Sequence, residues 1–278
     1  MQFTGYGRHG KVHPFLSPEV GKSMAENILN LFAATAPGCE PLVADELAGL
    51  ELPAEAVVGG VDFAGTVDDV YRTNLHLRCA NRVLVRFAHF RATAFPDLYR
   101  RCVRLPWGRF IKPAAAVDVR VRCRHSRLMH TDRIAKTVSE AIDRALGRSA
   151  PQSLQGSAQQ VLVRFSEDQC QVSIDSSGDL LHRRGYRQEQ GAAPLRETLA
   201  ATLLHASGWN VSEPLWDPMC GSGTIVIEGA LLASRTAPGL QRHFAFENWP
   251  RFRPGRWQVL RQQAEKSRIP INSDLLYG

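Results

Sequence analysis

Apolar and polar residues alternate strictly over residues 117–124, where Val117, Val119, Val121 and Cys123 occupy every second position. This period of two predicts a β-strand with one buried face and one solvated face. Shorter apolar segments predict further strands at residues 31–34, 57–63, 82–88, 161–165 and 171–174.

Apolar residues spaced three and four positions apart predict helices between these strands. The predicted helices cover residues 40–50, 67–80, 95–103 and 131–146. The last of them has Asp132 or Thr131 as its candidate N-cap. This order of elements predicts an α+β N-terminal part that begins with a ferredoxin-like βαβ unit.

The pattern beyond residue 193 predicts a helix at 194–207, a short buried strand at 213–216 and a second helix at 224–235. Another apolar segment predicts a strand at 269–271. A strand, a glycine-containing turn and a helix in this order are typical of a doubly wound α/β sheet. Such sheets bind ligands beyond the carboxyl ends of their strands.

The turn between the strand at 213–216 and the following helix carries candidate cofactor chemistry. Its two glycines permit a tight turn and let the main chain approach a ligand closely. The first amides of a helix have no intrahelical partners, so they stabilise an anionic group at that end. The candidate contacts are Asp217, Pro218, Cys220, Gly221, Ser222, Gly223 and Thr224.

The spacing within this turn discriminates between cofactors. A nucleoside-triphosphate loop needs Lys after its last glycine, but Thr224 follows Gly223 directly. A dinucleotide loop needs a third glycine where this chain has Val226. S-adenosylmethionine fits, because its carboxylate can meet the helix amides while Asp217 faces its amino and sulfonium end. Asp274 is expected at the tip of the next strand, where its carboxylate would hold the ribose hydroxyls. A plain turn with Asp217 as a helix cap is the alternative.

Composition narrows the partners without identifying the reaction. The 278 residues suit about two domains. The chain has 34 Lys and Arg against 27 Asp and Glu, and its net charge of +7 favours a polyanionic binding partner. The six cysteines form no Cys-x-x-Cys pair, so neither a metal site nor a disulfide framework is predicted. No apolar run approaches the ~20 residues that span a bilayer. The sequence therefore predicts a soluble, cytoplasmic protein that binds nucleic acid.

The polar face of the strand at 117–124 is the densest basic surface that the sequence predicts. Its arginines, with basic residues of the following connection and helix, are expected to contact RNA phosphates. A solvated strand face that pairs with Asp118, Asp132 and Asp143 is the alternative. The candidate RNA-binding residues here are Arg120, Arg122, Arg124, Arg127, Arg133 and Lys136.

A second basic segment follows the strand at 171–174 and links the two parts of the chain. Tyr186 is expected to stack a base while Arg183, Arg184 and Arg187 hold phosphates. Packing of Tyr186 within the linker, with the arginines facing water, remains equally open.

Several ordered segments resemble one family. They are residues 31–38 with 59–63, Leu-His-Arg-Arg-Gly-Tyr-Arg at 181–187, Ala-Pro-Leu-Arg-Glu-Thr-Leu-Ala at 193–200, the turn at 217–224, and Ala-Pro-Gly-Leu at 237–240. Together they resemble the bacterial THUMP-domain methyltransferases that act on the guanine N2 of large-subunit (23S) rRNA. The resemblance implies methyl transfer from S-adenosylmethionine, with Pro194 and Leu195 as further cofactor contacts.

The resemblance also implies a fold and a set of domain boundaries. The expected fold is a ferredoxin-like plus THUMP module followed by the start of a Rossmann-like class I methyltransferase domain. The expected segments are a flexible arm at 1–30, the ferredoxin-like part at 31–68, the THUMP domain at 69–178, a linker at 179–193 and the methyltransferase portion at 194–278.

One departure from the family concerns catalysis. Family members hold the target base with an Asn- or Asp-Pro-Pro-aromatic loop, and this chain has no Pro-Pro pair and ends at Gly278. The expectation is therefore a C-terminally incomplete enzyme with no assignable catalytic residue. Cys220 is not expected to act as a nucleophile, because no His lies near it in sequence. The alternatives are a non-catalytic RNA-binding fragment and a THUMP methyltransferase that acts on tRNA.

Overall fold

A computed structural model describes residues 28–148, 158–187 and 195–278. Most of the expected arm at 1–30, and the candidate cofactor contact Pro194, lie outside these described residues.

The first part of the chain alternates strands and helices around a buried core. Its elements are β1 (Leu29–Ala34), α1 (Glu40–Gly49), β2 (Ala54–Val57), β3 (Gly60–Gly65), α2 (Val67–His76) and β4 (Arg82–Arg91). A capping box fixes the start of α2, because the Thr66 hydroxyl accepts from the Asp69 amide while the Asp69 carboxylate accepts from the Thr66 amide.

The next part continues the same sheet. Its elements are α3 (Phe95–Val103), β5 (Val117–Arg124), α4 (Thr131–Ala145), β6 (Gln159–Ser166) and β7 (Gln169–Asp175). The seven strands lie in the order β2-β3-β1-β4-β7-β6-β5, so one sheet runs through both parts. β5 pairs with β6 in parallel, and the other pairs are antiparallel.

β5 has one face packed on the core and one solvated face, as its period-two pattern predicts. Its apolar side chains pack against the core, while the arginines between them are exposed. α4 covers the apolar face with residues spaced at helical intervals, namely Ile134, Val138, Ala141 and Ile142. α3 and β5 occupy the predicted residues.

Two predicted elements in this region are wrong in extent. The single strand expected at 57–63 is a hairpin of β2 and β3, because Gly59 turns the chain at a φ of +87°. The helix expected to reach residue 80 ends at His76. Beyond it, the amides of Arg78 and Cys79 donate to the Glu46 carboxylate instead of continuing the helix.

The last part contains α5 (Glu197–Ser207), β8 (Leu215–Trp216), α6 (Thr224–Ala233), α7 (Pro254–Lys266) and β9 (Leu276–Tyr277). β8 and β9 form a short parallel pair. An aromatic cluster joins this part to α2 of the first part, since Tyr71 packs on Phe246 with ring centroids 4.6 Å apart. Phe244, Phe252 and Trp257 complete this cluster.

The strand expected at 269–271 is wrong. Pro270 has no amide hydrogen to donate to a ladder, and the Ile269 amide donates to the Ser234 carbonyl. Asn272 then caps a 3₁₀ turn, Ser273–Leu275, which contains Asp274. The strand that pairs with β8 therefore begins after Asp274.

Candidate functional site

The turn that follows β8 presents its backbone to the outside. The Asp217 amide donates to the Tyr277 carbonyl and extends the β8–β9 ladder, and the Asp217 carboxylate accepts from the Met219 amide at 3.0 Å. Gly223 is the N-cap of α6 in a left-handed conformation, with φ +72°, and no side chain within the described ranges caps the helix. The first intrahelical bond runs from the Ile227 amide to the Gly223 carbonyl, so the amides of the first turn are available to a ligand.

The two glycines of the turn have free space around them. Among the residues that the structure describes, a Cβ added to Gly221 would meet only the Met219 carbonyl oxygen at 3.9 Å, and one added to Gly223 only the Ile227 side chain, at 3.7 Å. Both residues have positive φ, which disfavours any residue with a Cβ. The described residues leave this space at the two glycines open, so a ligand can approach the main chain there.

The turn's other candidate contacts differ in exposure. Pro218 and Ser222 are exposed, Asp217 and Cys220 are half-buried, and Thr224 is buried. Gly278 packs against Cys220, since a Cβ on Gly278 would lie 2.8 Å from that of Cys220.

Asp274 does not lie at a strand tip beside Asp217. Leu215 pairs with Leu276 and Trp216 with Tyr277 in parallel register. Asp217 follows β8 at its carboxyl end, whereas Asp274 precedes β9 at its amino end. The two carboxylates are therefore at opposite ends of this short ladder.

Arg187 lies against the turn and not on a separate basic surface. Its guanidinium donates to the hydroxyls of Ser222 at 3.3 Å and Thr224 at 3.0 Å, and to the Leu195 carbonyl at 3.2 Å. Its Nε donates to the Glu197 carboxylate at 3.0 Å. The expected phosphate contact is replaced by contacts with the candidate cofactor site, and the structure also brings Leu195 to that site through its carbonyl.

Arg184 is buried, which contradicts the expectation that it contacts RNA. Its side chain is 3% exposed and pairs with Glu228, which is fully buried. It also donates to the carbonyls of Leu181 and Arg78. Since Glu228 is a buried carboxylate in α6, a cation was needed within reach, and sequence alone does not identify which arginine supplies it.

Two linker residues near Arg184 differ in their surroundings: Tyr186 packs within the linker, whereas Arg183 faces solvent. The Tyr186 hydroxyl donates to Glu228 at 3.1 Å, so this ring belongs to the packing of the linker. Burial and the nearby Glu228 raise the pKa of Tyr186. Arg183 is exposed and pairs with Asp179.

The basic surface formed by β5, α4 and the connection between them is exposed as predicted. Arg120, Arg122, Arg124, Arg127, Arg133 and Lys136 all face solvent. Arg120 pairs with Asp118 at 2.8 Å, and the Arg133 guanidinium stacks 4.0 Å from the Phe95 ring centroid.

Sequence analysis missed basic residues that extend this surface. Arg164 of β6 lies in register with Arg122 and is also exposed. The alternation of Val161, Val163 and Phe165 in the same strand was the signal that could have identified it. A crevice of about 350 Å³ is lined by Arg91, Thr93, Asp97, Arg101 and Arg127.

One cluster of potential metal ligands occurs within the described ranges. Side-chain atoms of Glu46, Cys79 and His205 lie within 4.8 Å of one another. Glu46 already accepts from the amides of Arg78 and Cys79, and burial raises the pKa of the Cys79 thiol. Because the thiol is protonated and the carboxylate is already hydrogen-bonded, we interpret this cluster as a packing contact between α1 and α5.

Three domain families match successive segments of the chain. They are the RlmL ferredoxin-like domain at residues 30–84, the THUMP domain at 92–175 and the RMKL-like methyltransferase domain at 184–278. No helix within the described ranges combines the length and apolarity needed to cross a bilayer.

Curated relatives match most of the chain. A ribosomal RNA large subunit methyltransferase K/L from Methylococcus capsulatus is 41% identical, over 84% of this chain and 33% of its own length. A putative RNA methyltransferase from Synechocystis is 38% identical, over 84% of this chain and 62% of its own. The chain thus spans about a third of the length of the first relative and under two thirds of the second.

Solved structures share the fold. A predicted N6-adenine-specific DNA methylase from Listeria monocytogenes aligns with a TM-score of 0.82 and 34% identity, over 90% of this chain and 66% of its own. SMU.472, a putative methyltransferase complexed with SAH, aligns with a TM-score of 0.81 and 32% identity, over 90% of this chain and 66% of its own. With its three domains in this order, the chain belongs to the THUMP-domain methyltransferase family, in which ferredoxin-like and THUMP domains precede a Rossmann-like methyltransferase domain.

Proposed function

We propose that this protein takes part in S-adenosylmethionine-dependent methylation of RNA, at the exocyclic N2 of a guanine in 23S rRNA. The observation that carries the proposal is the open glycine turn at 217–224, with unpartnered helix amides, joined to a THUMP module that exposes arginines. The rRNA methyltransferase name of the first relative supports the rRNA assignment. SAH, the demethylated form of the donor, is the ligand named for SMU.472.

The proposed cofactor site consists of the turn and the residues around it. The amides of Thr224 and its successors face the carboxylate of the methyl donor, and Asp217 faces its amino group. Asp274 is left out of the proposed site, since it precedes β9 and lies at the opposite end of the ladder from Asp217. The segments proposed from the resemblance, at 31–68, 69–178 and 194–278, remain proposed domain boundaries.

The proposed RNA site is the exposed basic face of β5 and its extension. Arg120, Arg122 and Arg124 point away from the core along one strand, and Arg164 lies beside Arg122. Guanidinium groups in this arrangement suit a phosphate backbone, which RNA-binding domains recognise by shape. Arg127, Arg133 and Lys136 extend this face, and Arg183 is the exposed one of the three linker arginines that the structure describes.

Methyl transfer depends on orienting the guanine amine more than on activating it. The lone pair of the guanine amine is delocalised into the ring, which makes it a weak nucleophile. A bound donor would supply a methyl group on a sulfonium, whose sulfur would leave with the electron pair of the broken sulfur–methyl bond while the amine would lose a proton to solvent. The target base leaves its stack first, and proximity then supplies most of the acceleration. No described residue is assigned as catalytic, so this chain contributes binding of the donor and of RNA.

The test measures methyl transfer from isotope-labelled donor to unmodified 23S rRNA and to tRNA. This chain and the product of its complete gene are both assayed, and labelled nucleosides are identified by mass spectrometry. N2-methylguanosine in rRNA supports the proposal. Label in tRNA alone, or as N6-methyladenosine, contradicts the substrate assignment. RNA binding without transfer by either protein identifies a non-catalytic binding module.

The cofactor site has its own test in glycine substitution. Gly223→Val places a branched side chain where φ is positive and where the ligand would approach, so we expect donor binding to be lost in calorimetry. Unchanged affinity in a folded variant would remove the turn from the site.

A further inference from the structure

Arg187 is held in one orientation by four hydrogen bonds. Its Nε donates to Glu197, one Nη donates to both the Leu195 carbonyl and the Thr224 hydroxyl, and the other Nη donates to the Ser222 hydroxyl. An arginine has five N–H groups. Within the described ranges, one N–H, on the Nη next to Ser222, is left for a further acceptor.

The guanidinium of Arg187 is partly desolvated and pairs with a carboxylate. Its side chain is 15% exposed and that of Glu197 is 6% exposed. Glu197 is the first residue of α5, so a helix fixes the carboxylate that in turn fixes the arginine. Thr224 and Ser222 belong to the start of α6 and to the turn before it. The cation therefore lies beside the unpartnered amides of α6, where an anion is already favoured.

We propose that Arg187 binds the carboxylate of the methyl donor, through the N–H on the Nη next to Ser222. This inference rests on the proposed cofactor site at 217–224. The carboxylate accepts from Arg187 and from the first amides of α6 together, and charge-assisted bonds of this kind are about twice as strong as neutral ones. The hydroxyls of Ser222 and Thr224 accept from the guanidinium and orient it.

A purely structural role for Arg187 makes a different prediction. If the arginine only ties the linker to the turn, its loss disturbs every ligand of the turn alike. If it binds the carboxylate, its loss weakens only ligands that carry that group. 5′-Methylthioadenosine has the adenosine and thioether of the donor but no carboxylate, so it separates the two roles.

The experiment measures binding of S-adenosylmethionine and of 5′-methylthioadenosine by calorimetry, in this chain and in the product of its complete gene. For Arg187→Ala we expect a loss of about 10-fold to 100-fold for S-adenosylmethionine and less than about 3-fold for 5′-methylthioadenosine. Arg187→Lys should lie between, because an ammonium cannot make the same set of bonds. Arg268→Ala, which removes an exposed arginine paired with Glu265, is the matched control and should change neither affinity.

The outcomes separate this inference from the cofactor site itself. Equal losses for both ligands in Arg187→Ala, or no loss for either, overturn the carboxylate role. If Gly223→Val abolishes both affinities at the same time, the turn remains the binding site. If neither ligand binds the unsubstituted proteins, the cofactor site and this inference both fail. Thermal unfolding of each variant shows whether it is folded.

Discussion

The side chains of Arg184 and Glu228 form an ion pair that is shielded from solvent, with exposures of 3% and 0%. The pair joins the linker to α6, and Arg184 also reaches the Arg78 carbonyl in the first part of the chain. Charges in such a place are tolerated only while paired, because desolvation costs several kcal/mol per ion. The pair therefore fixes how the linker meets α6.

Arg184→Leu should be strongly destabilising, because it leaves the Glu228 carboxylate buried without its cation. We expect a loss of about 3–5 kcal/mol in the free energy of unfolding, measured by denaturant titration. Arg183→Ala, which removes an exposed partner of Asp179 one residue away, should cost at most about 1 kcal/mol. Similar costs for both variants would contradict the buried pair.

His76 should make stability depend on pH. Burial, with Arg78 and Arg72 nearby, lowers the pKa of His76 to about 4 from its usual 6.5. The unfolded chain binds this proton below pH 6.5 while the folded protein does not. Stability is therefore full above pH 6.5 and is lost as the pH falls towards 4.

The measurement compares unfolding free energies at several pH values in that range. His76→Gln should reduce the loss between pH 6.5 and 4, because the substituted side chain does not titrate. An unaltered profile in His76→Gln would exclude His76 as a source of the pH dependence.

At the scale of elements, β5 is an edge strand of the seven-stranded sheet and carries the proposed RNA face. Its pairing with β6 sets Arg122 beside Arg164. Like charges on neighbouring strands repel one another in the absence of a polyanion. A bound phosphate backbone would relieve that repulsion, which supports the proposed RNA face.

Replacing Arg120, Arg122 and Arg124 together with Ala should weaken RNA binding and flatten its salt dependence. Each phosphate contact contributes about 0.7 to the slope of log affinity against log salt. Losing three such contacts should therefore reduce the magnitude of the slope by about 2. The triple replacement of Arg251, Arg256 and Arg268, all exposed, removes the same charge elsewhere. If both triples change the slope equally, net charge and not the β5 face is responsible.

The elements that sequence predicted best have strong internal patterns. The alternation in β5 and the spacing in α3 define those elements at the residues observed. The strand predicted at 269–271 was wrong because a short apolar run does not show whether its amides pair with a neighbouring strand. Pro270, moreover, has no amide hydrogen to donate. At the site, the glycine turn was recognisable from its small residues. The partners of Arg184 and Arg187 come from distant elements, so no local pattern signals them.

At the scale of the whole molecule, an aromatic cluster connects the first part of the chain to the last. Phe246 is fully buried between Tyr71, Phe244 and Trp257, and its amide donates to the Ser176 carbonyl. Arg78 adds bonds to the carbonyls of Leu231 and Thr236. These contacts make the two parts share a core.

Phe246→Ala should lower stability by about 3–5 kcal/mol, because it opens a cavity at the junction of the two parts. Calorimetry should show the unfolding transition broadening or dividing as the parts uncouple. Val259→Ala, at a side chain 41% exposed on α7, should have little effect. A small loss with an unchanged single transition would mean that the cluster does not couple the parts.

The shared core bears on which substrates would fit the proposed function. Arg78, Arg184 and the aromatic cluster hold the sheet and the glycine turn together. If RNA docks on the β5 face and the donor binds the turn as proposed, the span between docked phosphates and the methyl group is therefore built into the protein. An RNA whose reactive nucleotide lies too near the docked helix, or too far from it, cannot satisfy both ends at once. Selection of the modified position would then come from the length and bend of the RNA between these ends, and a substrate series with inserted or deleted base pairs should show one preferred spacing.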